Sequence, residues 1–351
     1  MLEIKLPITR YYGSKRKLIN RIWNEIENQN INFESVLDVF GGTGIFSYFC
    51  KAKNKCVIYN DIFKFNSLIG KRLIEYPRNE LTLKEAIDLL QPRYEKNYKS
   101  IIADNFSGVY FTDEENIQID TFVQNIAELG HQSKILSAYY ILFQACIIKR
   151  PYNLFHRNNL NMRLNYNGGS FGNKTTWERT FEDLFSRFIS ELDEFTFDNG
   201  KPNIALNTSA LDCNATADLV YIDPPYFSKK GHHTTYHAKY HFLEGLANYD
   251  SIEDNINLVK ANREITINKR DEFEKPANFL IDLEALLLKH QQSHIVISYR
   301  NNGVPEINDI AALLRKCKGE QKVSVIDLGS YGYALNKSNE SNNEFLIIAR
   351  R

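Results

Sequence analysis

The sequence predicts an α/β protein: a mostly parallel, twisted sheet with helices on both faces, interrupted by a mostly helical insertion. Three observations carry this. First, the apolar run Val36-Leu37-Asp38-Val39-Phe40 enters Gly41-Gly42-Thr43-Gly44, a helix-like stretch Ile45–Lys53 follows, and Cys56–Asp61 is a second strand ending in an acid. That is one β–α–β unit, the building block of a parallel sheet. Second, strand-like runs return only late, at Ala217–Asp223, His294–Tyr299, Val323–Leu328 and Phe345–Ala349. Third, the stretch between is mostly helical in texture. The predicted organisation is a sheet domain built from residues 1–69 and 204–351, with 70–203 inserted into it.

Each element has its own signal. Short apolar runs bounded by glycine or an acid read as buried strands. Within the insertion, Asp113–Leu129 is amphipathic and Ser133–Ile148 is rich in apolar and aromatic residues, so both read as helices. The segment 150–175 is dominated by Arg, Asn, Gly and Tyr, which is loop chemistry. A helix is predicted from about Glu178 to Glu191, and another near Phe279–His290.

Composition narrows the class. Of 351 residues, 43% are hydrophobic and 25% charged, as in globular proteins. No apolar run reaches the roughly 18 residues of a membrane span, and no apolar signal core follows the basic N-terminal stretch. A cytoplasmic protein that avoids membranes is expected. The five cysteines are scattered without a CxxC pair, which predicts reduced thiols. Forty-three basic residues balance 43 acidic ones, which argues against a protein that coats nucleic acid. The charge is unevenly spread, however. Residues 5–17 hold Lys5, Arg10, Lys15, Arg16 and Lys17 with no acid, and 139–179 hold six basic residues against Glu178. Such polarity can give one basic face on a neutral protein.

Two motifs carry chemistry. In Asp38-x-Phe40-x-Gly42-x-Gly44, glycines after a strand allow a positive-φ turn and close approach to a ligand, and the helix N-terminus that follows adds partial positive charge. Asp61, at the tip of the next strand, can accept hydrogen bonds from ribose hydroxyls. Asp223-Pro224-Pro225-Tyr226 is the more specific motif. The prolines fix φ and remove two amide donors, leaving rigid carbonyl acceptors beside the Asp223 carboxylate and the Tyr226 ring. This set suits an amino group on a flat ring: the ring stacks on Tyr226, and the amino hydrogens meet Asp223 and the Pro224 carbonyl.

The sequence resembles the adenine-N6 DNA methyltransferases, specifically the branch that contains the DNA adenine methylases. Arg10-Tyr11-Tyr12-Gly13-Ser14-Lys15-Arg16-Lys17-Leu18 is similar to that branch's N-terminal cofactor motif, Asp38–Gly44 to its glycine motif, and Asp223–Tyr226 to its catalytic tetrapeptide. The tail from Glu344 to Ile348 resembles its final strand. The resemblance implies a Rossmann-like S-adenosylmethionine-dependent methyltransferase fold with a C-terminal antiparallel strand, and a target recognition domain in the insertion. It implies that Tyr11 and Lys15 contact the cofactor, that Asp38, Phe40, Gly42 and Gly44 line its methionine end, and that Asp61 binds the ribose. Asp223, Pro224 and Tyr226 would serve catalysis, with Asp223 also bordering the cofactor. The family usually has Trp at the position of Tyr11 and often Gly at that of Ser14. An acid commonly meets the cofactor's adenine; here Asn207 and Asp212 are the candidates, and Asn207 has the better spacing.

The implied substrate is double-stranded DNA, and the resemblance implies either the modification half of a restriction-modification system, with a restriction endonuclease acting on the same site, or a solitary methylase. Base readout is expected in 150–175, where Arg and Asn could make bidentate contacts to guanine and adenine edges; Arg150, Arg157 and Arg163 are the candidates. Lys229 and Lys230, with His232, His233, His237 and His241, suggest a segment that touches phosphate. The i, i+4, i+8 spacing of His233, His237 and His241 would also suit a metal, but no second motif supports one and the chemistry needs none. Ser298–Asn302 follows a strand whose carboxyl end should open on the site, where it could support the target base. Methylation of RNA adenine or protein glutamine, and a DNA-binding protein without catalysis, are the competing readings. Cytosine-N4 methylation fits less well, since those enzymes more often have Ser where Asp223 stands.

Overall fold

A computed structural model describes residues 4–8, 10–166, 174–228, 234–267, 273–330 and 343–351. The strands are β1 (Ser35–Asp38), β2 (Cys56–Asn60), β3 (Ile204–Leu206), β4 (Leu219–Ile222), β5 (Phe227–Ser228), β6 (His294–Arg300), β7 (Gly303–Val304), β8 (Val323–Ser330) and β9 (Asn343–Ala349). The chain forms two compact units. One comprises Met1–Glu75, Asp198–His233 and Arg270–Arg351; the other comprises Tyr76–Phe197 and Thr234–Lys269.

The first unit holds a seven-stranded sheet in the order β3-β2-β1-β4-β6-β9-β8. The β3-β2-β1-β4-β6 run is parallel, and β9 is antiparallel to both β6 and β8. This is the predicted mostly parallel sheet with its antiparallel C-terminal strand. β1 and β4 are buried along nearly their whole length because helices cover both faces. Their register is pinned at the base, where the Asp218 carboxylate accepts hydrogen bonds from the Glu34 and Ser35 amides at 3.0 and 2.9 Å. Leu37, Val220, Ile222, Ile295, Ile297 and Ile347 form the core with Leu283 and Leu287 of the helix Phe279–Lys289. The edge strand β3 is three residues long and was not legible as a strand. A two-stranded ribbon of β5 and β7 joins the segment after β4 to the segment after β6.

The second unit is helical. Capping boxes at Thr82/Glu85 and Thr112/Glu115 start two of its helices. The helices Gln132–Ile148 and Phe181–Phe195 are tied by a Tyr140 hydroxyl that donates to Glu191 at 2.9 Å. The expected sheet domain ran unbroken from 204 to 351, yet residues 234–269 group with the helical unit. The reason is aromatic packing: in the helix Tyr236–Ala247, Phe242 stacks on Phe155 at 5.1 Å and meets Phe106 edge-on at 5.2 Å. The described part of segment 150–175 holds short helical turns at Pro151–Asn153 and Leu160–Leu164, and a third, Lys174–Trp177, starts at its end.

Candidate active site

The glycine turn is fixed from below and from the side. Gly42 and Gly44 have φ of 48° and 70°, where an L side chain would be strained. Gly41 faces the Tyr59 ring, which a Cβ there would approach to 2.1 Å. The Tyr59 hydroxyl in turn donates to the Gly42 carbonyl at 2.9 Å. From β2, the Asp61 carboxylate accepts from the Gly42 amide and from the Phe63 amide, each at 2.8 Å. Asn60 locks the neighbouring strand ends: its amide donates to the Val39 and Thr208 carbonyls, both at 3.1 Å. Asn207 is exposed and donates to the Asp61 and Ile62 carbonyls at 2.8 and 3.0 Å, so it shapes the turn that presents Asp61. Asp212 is exposed as well. Tyr11 lies beside the turn, its ring 3.7 Å from where a Cβ on Gly42 would stand, and its hydroxyl accepts from Asn66 at 3.2 Å. Phe40 is half-buried and meets the Phe273 ring edge-on at 5.1 Å.

Asp38 ends β1 inside this turn and is 1% exposed. One carboxylate oxygen accepts from the Ser47 hydroxyl at 2.7 Å; the other is buried with no hydrogen-bond partner among the described residues. Burial pushes its pKa up to about 7 despite the Ser47 bond, and the charges of Asp223 and Asp61 push the same way. A buried acceptor left unmade is costly, and a cationic amino group would satisfy it. The residues therefore fit the methionine end of S-adenosylmethionine: positive-φ glycines, an unfilled acceptor at Asp38, and Asp61 fixed beside them.

Asp223 follows β4 directly. Its carboxylate lies 2.8 Å from the Lys15 ammonium, which also lies 3.1 Å from Glu344. The Ser298 hydroxyl donates to the same Glu344 oxygen at 2.5 Å. The Lys15 side chain is 4% exposed and that of Glu344 is fully buried, whereas Asp223 keeps 18%, so the edge open to a ligand belongs to Asp223. Burial raises the Asp223 pKa to about 6; Lys15 opposes this and Glu344 adds to it. Lys15 was expected on the cofactor, and the structure ion-pairs it with the tetrapeptide. It sits in the short turn Lys15–Lys17, whose start is capped by Ser14 accepting from the Arg16 amide at 3.3 Å. This gives the serine that departs from the family pattern a structural task. Pro224 is buried. The Tyr226 ring is buried edge-on against Tyr299 at 5.9 Å, with the Arg300 guanidinium 4.3 Å and the Lys15 ammonium 5.7 Å from its centroid. Tyr221 of β4 stacks on Phe46 at 3.7 Å, tying the tetrapeptide's strand to the helix after the glycine turn. Nothing in the sequence pattern singles out Glu344; its only signal is an acid near the start of an otherwise apolar strand.

The residues predicted to contact DNA divide sharply. Arg150 is 1% exposed; its guanidinium packs 4.2 Å from the Tyr110 ring and donates to the Arg157 carbonyl at 2.8 Å. Arg163 is buried and grips Glu115 through two bonds of 2.6 and 2.5 Å, with Lys149 2.8 Å from the same acid. Both arginines hold the helical unit together, and their charged groups face protein rather than phosphate or base. Arg157 is exposed. Lys229, Lys230, His232 and His233 lie outside the described residues. His241 is a core residue: its Nδ1 accepts from the Ile265 amide at 3.0 Å, and burial lowers its pKa to about 3. It is not a phosphate contact.

Residues 11–275 match the D12 class N6 adenine-specific DNA methyltransferase family. The chain is 25% identical to Type II methyltransferase M2.HphI of Haemophilus parahaemolyticus over 98% of its own length and 97% of the relative's. It is 23% identical to Type II methyltransferase M.NlaIII of Neisseria lactamica over 87% of each chain. Modification methylase LlaI of Lactococcus lactis subsp. lactis is 24% identical over 94% of this chain, which spans 52% of that longer relative. The chain belongs to the D12 class of N6 adenine-specific DNA methyltransferases, enzymes that draw their methyl group from S-adenosylmethionine.

Proposed function

We propose that this enzyme methylates adenine at one specific sequence in double-stranded DNA, as the cytoplasmic modification partner of a restriction endonuclease that cuts the same site. The observation that carries the catalytic part is the Asp223 carboxylate, held by buried Lys15 yet open along one edge beside the Tyr226 ring. The type II and modification-methylase names of the relatives support the restriction context.

The target adenine is extruded from the duplex, as base-modifying enzymes require. Tyr226 stacks on it after Arg300, which lies 4.3 Å from the ring centroid in the free enzyme, gives up its place over the ring. The Asp223 carboxylate and the Pro224 carbonyl accept the two hydrogens of its amino group. That group is a poor nucleophile because its lone pair is delocalised into the ring; two acceptors localise the pair and aim it. When bound, S-adenosylmethionine supplies an electrophilic methyl group on a sulfonium. Asp223 would receive the proton that the amino nitrogen sheds once it carries the methyl group. Asp38 receives the cofactor's amino group, Asp61 its ribose hydroxyls, and Tyr11, Phe40, Gly42 and Gly44 line the cofactor, with Asn207 shaping the Asp61 turn. Exposed Arg157, with Lys229 and Lys230, meets DNA.

Plasmid grown in cells that express the enzyme should carry N6-methyladenine at a single motif by single-molecule sequencing, and Asp223→Ala should erase it. Methylation without a shared motif would overturn site specificity. Cleavage of unmodified, but not modified, plasmid by an endonuclease from the same source tests the partnership.

A further inference from the structure

Among the described residues, buried charge at the tetrapeptide includes a set of three, and the third member comes from the far end of the chain, beyond the span matched to the family. Lys15 stands between two carboxylates, 2.8 Å from Asp223 and 3.1 Å from Glu344. Glu344 is on β9, opposite Arg300 of β6. It is fully buried, and Ser298 from β6 donates to the oxygen that faces Lys15. A fully buried carboxylate is retained only where partners compensate its desolvation. Here those partners lead to the reaction centre.

We propose that Glu344 is a positioning residue for methyl transfer: by sharing Lys15 with Asp223, it keeps the lysine from closing a one-to-one ion pair and leaves the Asp223 carboxylate free to accept the hydrogens of the target amino group.

The electrostatics are simple. A lone Lys15–Asp223 pair would be neutral, with the carboxylate's charge spent on the ammonium. A second carboxylate returns net negative charge to the set and divides the lysine's donors between two acceptors. The remaining ionisable or charged groups around it do not replace this function. Tyr221 of β4 stays un-ionised because burial pushes its phenol well up, as burial does for Tyr299 of β6. Asp38 of β1 feels the charge of Asp223 and is itself pushed up by it and by burial, and Arg300 of β6 lies over the Tyr226 ring. The charge of Glu344 also raises the Asp223 pKa, so removing it must move that group down.

The inference rests on Asp223 as the acceptor, so the full-length Asp223→Ala enzyme is measured in parallel. Single-turnover transfer of tritiated methyl groups from S-adenosylmethionine to unmethylated plasmid is followed from pH 5 to 9. Glu344→Gln should lower the plateau rate by about tenfold or more and move the acid limb to lower pH. Affinity for S-adenosylhomocysteine by calorimetry should change less than about twofold, and Glu344→Asp should restore part of the rate. Ser298→Ala should shift rate and limb the same way by less, which serves as the test if Glu344→Gln does not fold. A wild-type rate in Glu344→Gln, or a lost rate with an unmoved acid limb, overturns the proposal. So does an unmoved limb in Ser298→Ala. If Asp223→Ala itself retains turnover, the acceptor reading falls first; if it is inactive while Glu344→Gln is wild type, only the role of Glu344 falls.

Discussion

The Gly42 amide donates to the Asp61 carboxylate at 2.8 Å, so the acid at the tip of β2 holds the glycine turn. Its other oxygen accepts from the Phe63 amide. Asp61→Ala should therefore cost more cofactor affinity than ribose bonds alone, each worth about 0.5–1.5 kcal/mol. Asp61→Asn should fare little better, because its amide would turn an N–H toward one of two backbone N–H groups. Calorimetry with S-adenosylhomocysteine decides: an Asn variant that binds like wild type would separate Asp61 from the turn's geometry.

Asp38 is expected to set a trade between stability and binding. A carboxyl whose folded pKa is raised from 3.8 to about 7 takes up a proton on folding. The unliganded protein should be most stable below that window and lose stability as pH rises through it. Asp38→Asn should flatten this slope and stabilise the free enzyme at pH 8, because a neutral amide replaces a buried carboxylate whose charge burial disfavours. The same variant should bind S-adenosylmethionine more weakly. Denaturant melts at pH 5 and pH 8 check the first claim; an equally steep pH slope in Asp38→Asn would refute it.

The sheet was legible because its strands are short apolar runs closed by glycine or an acid, and the two motifs stand at their ends. The helix Ile19–Asn28 lacks such punctuation and was not anticipated; Ile307–Lys318 follows Pro305, starts on a Glu306/Asp309 capping box and closes on Gly319, so it had the signals, yet it was not anticipated either. Arg150 and Arg163 read as surface residues because composition assigns arginine to solvent, whereas a guanidinium can be buried when carboxylates, carbonyls and aromatic faces surround it. Those partners, Glu115 and Tyr110, lie roughly 40 to 50 residues upstream in sequence, so no local pattern could reveal them. Glu344 was hidden for the same reason: its partner Lys15 is at the opposite end of the chain.

Asp223 must be ionised to accept amino hydrogens, and its pKa is raised to about 6. At saturating S-adenosylmethionine, methyl transfer should decline as pH falls through 6; cofactor affinity itself should weaken from about pH 7 downward, as Asp38 takes up its proton. Asp223→Ala should abolish transfer. Tyr226→Ala should lose about 1–3 kcal/mol of base stacking, while Tyr226→Phe should keep most of the rate because the ring and its packing against Tyr299 are preserved. A Phe variant as poor as Ala would mean that the hydroxyl, rather than the ring face, is what the reaction uses.

Arg157 and Arg163 lie six positions apart and should behave oppositely. Arg163 grips Glu115, an acid that also closes the capping box at Thr112. Burial pushes the Glu115 carboxyl up, but Arg163 and Lys149 outweigh it and hold the carboxyl below its usual range. Breaking a buried pair of this kind costs about 3–5 kcal/mol, so Arg163→Ala should lower the melting temperature and activity together on every DNA. Arg157 is exposed, and its loss should leave the melting temperature unchanged. If Arg157 is bidentate to a guanine, Ala should cost about 1–3 kcal/mol and relax preference at one base position. If it meets phosphate, affinity should fall evenly across sequences and the salt dependence should become shallower by about one unit. Methylation rates on a cognate duplex and its single-base variants at two salt concentrations tell these apart. An Arg157→Ala enzyme that matches wild type on every duplex would take Arg157 out of the recognition surface.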